Sequence, residues 1–303
     1  MVVTNNDITQ KNYKKLSIQV SLSGLSFCVF DLLTNKVLTT NTVEFPKNSV
    51  LEEVLWKAFV DNIILSNSYD EIVVIHDNNL NTFVPNSLFN EDYLGSYLQY
   101  NIKVFSTDFF ASDFLKNHDM HNVYVPYVNI NNFLLDQFES FDYKNCNTVL
   151  VNKILELSST TTEKQVFVHF QNNNFQIIVA KESNLLLFNS FEYSTPEDFI
   201  YYILFTYEQL QLNPDTVALN LLGALTIESE YYTIAYKYIR NCSLLNTSAI
   251  SSTNLLEEPQ YLRQSDSTID LLFLFCPFKG GRVFLLQKNF LPMYFISFSV
   301  FLI

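Results

Sequence analysis

Residues 18–45, IQVSLSGLSFCVFDLLTNKVLTTNTVEF, lie without a gap over residues 166–193, VFVHFQNNNFQIIVAKESNLLLFNSFEY, when the 303-residue chain is compared with itself at an offset of 148. Five of the 28 positions are identical: Val20/Val168, Phe27/Phe175, Leu38/Leu186, Asn41/Asn189 and Glu44/Glu192. Eight more are close replacements, such as Ile18/Val166, Val29/Ile177 and Thr42/Ser190. The shared order of apolar runs and polar breaks weighs more than the identities, because a repeat fixes the architecture before any single element is placed.

Each copy reads as three consecutive strands. Residues 16–22 alternate Leu, Ile, Val and Leu with Ser and Gln, the period of a half-buried strand. Ser23-Gly24 breaks that run and 25–32 form a second strand; Leu33-Thr34-Asn35-Lys36 then turns the chain into 37–45. In the later copy Asn172-Asn173-Asn174 makes the first turn, since Asn tolerates left-handed backbone, and Lys181-Glu182-Ser183-Asn184 makes the second. Turns this short imply an antiparallel meander.

The pattern continues outward from both meanders. Residues 50–65 place Leu51, Val54, Leu55, Ala58, Phe59 and Ile63 at helical spacing, and 196–212 form a helix with Thr195 as N-cap and Pro196 in its first turn. Buried-type strands follow at 71–75 and 217–222, then second helices at 91–100 and 228–240. The first half closes with a strand at 123–128 and helical stretches at 130–141 and 147–157; the second closes with a short strand at 243–245. The order in each half is β-β-β-α-β-α-β, a mixed five-stranded sheet with helices outside it. The expected organisation is a polar tail over 1–15, one subdomain over 16–160, a second over 161–265 and an apolar segment over 266–303.

This is the ribonuclease-H-like order, and two such halves in one chain resemble the actin-like ATPase superfamily, which holds the sugar kinases, the Hsp70 chaperones and the cell-division and pilus-assembly actin homologues. The opening LSIQVSLSGLSFCVFD and the segment FNSFEYSTPEDFIYYILFTYEQL are similar, more narrowly, to a Bacteroidota family of unknown function with this fold. The resemblance spans about residues 16 to 250. It implies an ATP cleft between the halves, with each first hairpin supplying an Asp-x-Gly phosphate loop and a Gly-Gly turn after the second half's fourth strand packing on adenosine.

Laid on this chain, those loops are depleted. The first is Ser21-Leu22-Ser23-Gly24-Leu25-Ser26, which has the glycine and three hydroxyls but no acid. The second is His169-Phe170-Gln171-Asn172-Asn173-Asn174, with neither acid nor glycine, and the adenosine turn is Leu222-Gly223-Ala224, one glycine where two are usual. Only 5 glycines occur in the whole chain, well under the usual share of about 7%. Ser23, Gly24, Ser26 and Gly223 are therefore the cofactor-binding positions that the resemblance maps. Gly24 also has an ordinary reading, as the positive-φ residue of a hairpin turn. ATP hydrolysis is expected to be absent, with no cofactor, no resident metal and no catalytic residue.

Other candidate chemistry reads as structure. His169 has no assignable nucleophile or carboxylate partner and reads as a structural or surface histidine. His118-Asp119-Met120-His121 reads as a polar loop rather than a metal site, because no third ligand cluster follows. Glu197 and Asp198 suit a helix N-terminus. Asp31, His76 and Asp77 sit at or near strand ends, where α/β sheets often carry catalytic groups, and they define the alternative of a divergent kinase or hydrolase.

Composition bounds the partners. Eighteen basic residues against 31 acidic give a net charge of −13, which argues against nucleic acid. The 48% apolar and 16% charged content excludes a disordered chain. Cys28, Cys146, Cys242 and Cys276 are far apart and read as buried free thiols of a cytoplasmic protein; residues 1–15 have no apolar core of a secretory signal. Residues 271–303 hold Lys279, Arg282 and Lys288 and no acid. Their unbroken apolar run of 14 residues, 290–303, is too short for a spanning helix, which needs about 20; it reads as a tail outside the fold, with a docked terminal element or a peripheral membrane contact as the alternatives. The expectation is a non-catalytic binding or scaffold protein with a protein partner.

Overall fold

The computed structural model describes residues 11–105, 107–171 and 174–245. The Asn172-Asn173 part of the expected second-meander turn lies outside them, as do Cys276 and the apolar segment near the C-terminus.

The first meander is β1 (Lys14–Val20), β2 (Gly24–Asp31) and β3 (Lys36–Glu44), followed by α1 (Leu51–Asp61) and β4 (Glu71–His76). An inserted unit comes next: β5 (Asn81–Pro85), α2 (Leu94–Leu98), β6 (Ala111–Leu115) and β7 (Met120–Tyr124). The first half ends with α3 (Val128–Gln137), β8 (Asp142–Asn145) and α4 (Cys146–Ser158). The second meander is β9 (Gln165–Phe170), β10 (Asn174–Lys181) and β11 (Asn184–Glu192), followed by α5 (Pro196–Gln209), β12 (Ala218–Gly223), α6 (Glu230–Tyr238) and β13 (Cys242–Leu244). Sheet order is β3-β2-β1-β4-β8 in the first half and β11-β10-β9-β12-β13 in the second, with the first three strands antiparallel and the rest parallel in both.

The two sheets match strand for strand, but not at the offset of 148 throughout. In β1 and β2, Gln19 pairs with Ser26; in β9 and β10 the pair at the same place is His169 with Gln176, an offset of 150. In β3 and β11 the offset is 148, because residues 32–35 turn the first hairpin and residues 182–183 alone turn the second. Both halves carry a register shift at the same spot, Val29/Phe30 and Val179/Ala180. Thus Leu38/Leu186, Asn41/Asn189 and Glu44/Glu192 are equivalent, while Val20/Val168 and Phe27/Phe175 are not. A displacement of two leaves every side chain on its own face, so the apolar pattern still matched.

The closing strand of the first sheet is also different from the expectation. It is β8, Asp142–Asn145, whereas residues 120–124 form the central strand of the inserted sheet, in order β5-β7-β6, and Val128 begins α3. The sequence DYKN has one apolar side chain and no hydrophobic signal; it is a strand because its backbone pairs in parallel with Val73–His76. The helix expected over 91–100 shrinks to the 3-10 turn Glu91–Tyr93 and α2, both in the insert, and α3 takes its place against the sheet.

Each sheet has an outer and an inner face. Leu16, Ile18, Val20, Leu25, Phe27 and Val29 bury outward with Leu55 and Phe59 of α1 and Ile130 and Leu134 of α3. Val166, Val168, Phe175, Ile177 and Val179 do the same with Phe199 and Ile203 of α5. Thr195 and Asp198 close a capping box at the start of α5, with Pro196 in its first turn, as the sequence implies. The inner faces share one core built on α4: Leu150, Val151, Ile154 and Leu155 pack with Val73 and Ile75 of the first sheet and Phe167, Ile178, Ala180 and Leu222 of the second.

Candidate functional site

The C-terminal ends of the parallel strands of both sheets converge on the loop Asp77-Asn78-Asn79, directly after β4. Gln19 on β1 and His169 on β9 are equivalent positions, both facing inward and both 1% exposed. Gln19 Nε2 donates to Asp77 Oδ2 at 2.9 Å. That carboxylate accepts only, which fixes the Gln19 amide with its Oε1 turned away. Cys146 Sγ approaches Asp77 Oδ1 at 3.4 Å, and burial together with this carboxylate pushes the Cys146 thiol up.

The second half meets the same loop through amides. Gln176 Nε2 donates to Asn79 Oδ1 at 3.0 Å and faces Asn174 Oδ1 at 2.8 Å. Its Oε1 therefore faces His169 Nδ1, 2.7 Å away, so that nitrogen holds the proton and Nε2 presents a lone pair. Burial holds His169 below the ordinary histidine range. Gln19 Oε1 and His169 Nε2 have no hydrogen-bond partner among the described residues.

A lattice of carboxamides continues behind the loop. Asn145 caps α4 by accepting the Asn147 N–H, and its own Nδ2 donates to the Asn78 carbonyl at 3.2 Å. Asn147 Nδ2 donates to Asn81 Oδ1 at 2.8 Å, and Asn81 Nδ2 donates to Asn122 Oδ1 at 2.9 Å. Asn122 Nδ2 reaches Thr148 Oγ1, and Thr148 donates to Asp113 Oδ2 at 2.6 Å. Asp113 also accepts from the Asn145 N–H and the Tyr124 hydroxyl; burial raises its carboxyl despite these donors. The insert is thereby pinned to the first turn of α4.

The mapped nucleotide positions have structural duties here. Gly24 opens β2 in extended backbone, not at positive φ; a Cβ would stand 2.8 Å from the Val43 carbonyl oxygen of β3. The close approach of β3, rather than a left-handed turn, is what glycine serves. Ser23 Oγ lies 3.0 Å from Ser21 Oγ, and the buried Ser26 shares a hydrogen bond with Thr42. Gly223 does lie at positive φ, 100°, where a Cβ would overlap the Phe170 carbonyl oxygen. Gly24 and Ser26 lie on β2 of the first sheet, Ser23 in the turn before it, and Gly223 on β12 of the second.

The alternative enzymatic set does not assemble. Asp31 pairs with Lys14 at the opposite end of the sheet and accepts the Leu33 and Thr34 N–H groups, which hold its carboxyl low. His76, fully buried, turns to the outer face, where Nε2 meets Asn131 Oδ1 and Nδ1 accepts the Tyr127 N–H. Burial lowers its pKa to about 4. Only Asp77 faces the junction. His118 and His121 point apart, His118 to the Ser183 carbonyl and His121 into a stack with Phe89 and Phe114. Among the described residues no group of three His, Cys, Asp or Glu is placed to hold a metal ion, and no helix is long and apolar enough to cross a membrane. A 420 Å³ surface hollow lined by Lys14, Leu38, Ile64 and Tyr69 lies at the far end of the first sheet from the Asp77 loop.

Comparison with known proteins gives the fold a context. The family described as "Protein of unknown function (DUF3822)" matches residues 4–242. A Bacteroides thetaiotaomicron VPI-5482 protein with an actin-like ATPase fold and unknown function superimposes with a TM-score of 0.75 at 21% identity, covering 88% of this chain and 98% of that one. The PilM–PilN type IV pilus biogenesis complex gives a TM-score of 0.55 at 11% identity, covering 86% and 97%. No curated protein matches the chain in sequence.

Proposed function

The chain belongs to the DUF3822 family, and from that premise we propose that it is a binding or scaffold protein, an actin-like fold that does not turn over ATP. One observation carries the reading. At the junction where the resemblance implies phosphates, the chain sets its own side chains: Gln19 on Asp77, and Gln176 on Asn79. The inward groups left over, Gln19 Oε1 and the His169 Nε2 lone pair, are acceptors, and acceptors beside a carboxylate repel a phosphate rather than cradle it. The residues at the first loop spend their hydroxyls on one another and on β3.

On this reading residues 16–160 and 161–265 are the two subdomains, held together rather than hinged, and the product of the fold is surface for a protein partner. The likeness to PilM in its complex with PilN supports partner binding as a use of such a fold. Isothermal titration of the full chain with Mg-ATP and Mg-ADP, alongside a phosphate-release assay, tests it. No heat of binding and no phosphate are expected; micromolar binding with turnover overturns the proposal.

A further inference from the structure

The inserted sheet, in order β5-β7-β6, has an open edge: among the described residues no strand pairs with the far side of β6. Which backbone groups face outward there follows from β7. The Asn86 N–H donates to the Asp119 carbonyl and the Val125 N–H to the Leu80 carbonyl, so the odd-numbered residues from 119 to 125 turn their peptide groups toward β5. Peptide groups alternate along a strand. The even-numbered residues of β7 therefore turn to β6, where they face Ala111, Asp113 and Leu115. Ser112 and Phe114 are left over, and their N–H and C=O groups point out of the sheet's edge.

A stack of rings crosses the same sheet and stops at that edge. Phe114 and His121 are direct cross-strand partners with centroids 4.7 Å apart, close to the spacing of about 4.8 Å between neighbouring strands. Phe89 lies parallel on the other side of His121 at 3.6 Å, and Tyr97 continues the series 6.3 Å from Phe89. Phe114 ends it and is 49% exposed. A strand added to β6 sets one side chain opposite Phe114 at the next such interval, on the open face of its ring. The groups that extend a stack of this kind are planar: another aromatic ring, or the guanidinium of an arginine. Charge chooses between them. Burial lowers the His121 pKa against the pull of the Asp119 and Glu91 carboxylates, which stand close enough to favour positive charge in the stack. A cation on the face of Phe114 lies toward the same carboxylates.

We propose that β6 receives an extended segment of a protein partner as an antiparallel fourth strand, hydrogen-bonded to Ser112 and Phe114, with an arginine stacked on Phe114. This site rests on the binding-protein reading only in that the partner is a protein; the ATP titration that judges that reading has no bearing on the β6 edge.

The probe is the peptide acetyl-Thr-Val-Thr-Arg-Thr-Val-Thr-amide, added to the full chain. Saturable binding by isothermal titration is expected. The Ser112 and Phe114 amides, quick to exchange with deuterium in the free chain, become protected, whereas Asp113 is protected throughout. Glutamate in place of the arginine, or Phe114→Ala in the protein, weakens binding about tenfold. N-methylation of the arginine nitrogen abolishes binding and N-methylation of the following residue does not, because only the residue opposite Phe114 turns its N–H to β6. The methylated peptides leave the protein untouched, so they decide the matter even where a Phe114→Ala chain fails to fold. No binding at millimolar peptide, indifference to the glutamate exchange, or equal effects of the two methylations overturns the proposal. Protection of Ser112 and Phe114 that grows with protein concentration in the absence of peptide places a second copy on the edge and overturns it too.

Discussion

Gln176 donates from its Nε2 to Asn79 Oδ1 at 3.0 Å, a hydrogen bond spanning 97 residues that joins the second sheet to the loop after β4 of the first. Because Gln176 Oε1 also receives the His169 Nδ1–H, one side chain fixes both the junction and a histidine tautomer.

That dual duty makes Gln176→Ala costly. Two groups lose their partner at once in a buried site, so a loss of about 2–3 kcal/mol is expected, against about 1 kcal/mol for Asn79→Ala. A double-mutant cycle read by urea unfolding should show coupling of about 0.5–1.5 kcal/mol; strict additivity would mean the bond contributes nothing.

Gly223→Ala should be far worse than Gly24→Ala. The first combines positive φ with a backbone overlap at Phe170; the second meets only one carbonyl oxygen, from extended backbone. Losses above about 2 kcal/mol and of about 1 kcal/mol respectively are expected, measured as shifts of the urea midpoint at unchanged slope.

The buried histidines set an acid limit. His76 has a folded pKa of about 4 against 6.5 unfolded, and His169 is lowered too. A lowered histidine is neutral in both states above pH 6.5, where its contribution is complete. As pH falls from 6.5 toward 4, the unfolded chain takes up the proton first and stability drains away, by about 3 kcal/mol for His76 alone. Unfolding free energies across that window should fall with pH, and His76→Asn should flatten the slope. An identical slope in the variant would remove His76 from the account.

Thr195→Ala removes half of the capping box at α5 and should cost about 1 kcal/mol, with Thr195→Ser close to neutral. Thermal unfolding of the three chains decides this; equal losses for both variants would assign the effect to packing rather than to the cap.

How much of this could be read from the chain alone depended on which force places each residue. The meanders were legible because burial alternates by twos, and their two-residue offset error did not disturb that alternation. Thr195 and Pro196 were legible because capping is local chemistry. β8 was not, since Asp142, Lys144 and Asn145 are strand-forming only through their pairing with β4. Of the junction, only His169 and Asp77 drew notice. Gln19, Asn79 and Gln176 look like ordinary strand and loop polars, and nothing local says that they meet. The one available signal was Asp77-Asn78-Asn79-Leu80-Asn81, a run of amides directly behind the buried strand EIVVIH, answered by Asn145 and Asn147.

Helix α4 belongs to the first half by connectivity and to both halves by packing. Neither half can therefore keep its apolar inner surface covered once the other has melted. Calorimetry should accordingly show one endotherm, not two, and a fragment cut at residue 160 would keep α4 on Val73 and Ile75 but turn to water the side of that core which Phe167, Ile178, Ala180 and Leu222 cover, a species made to aggregate rather than to stand alone.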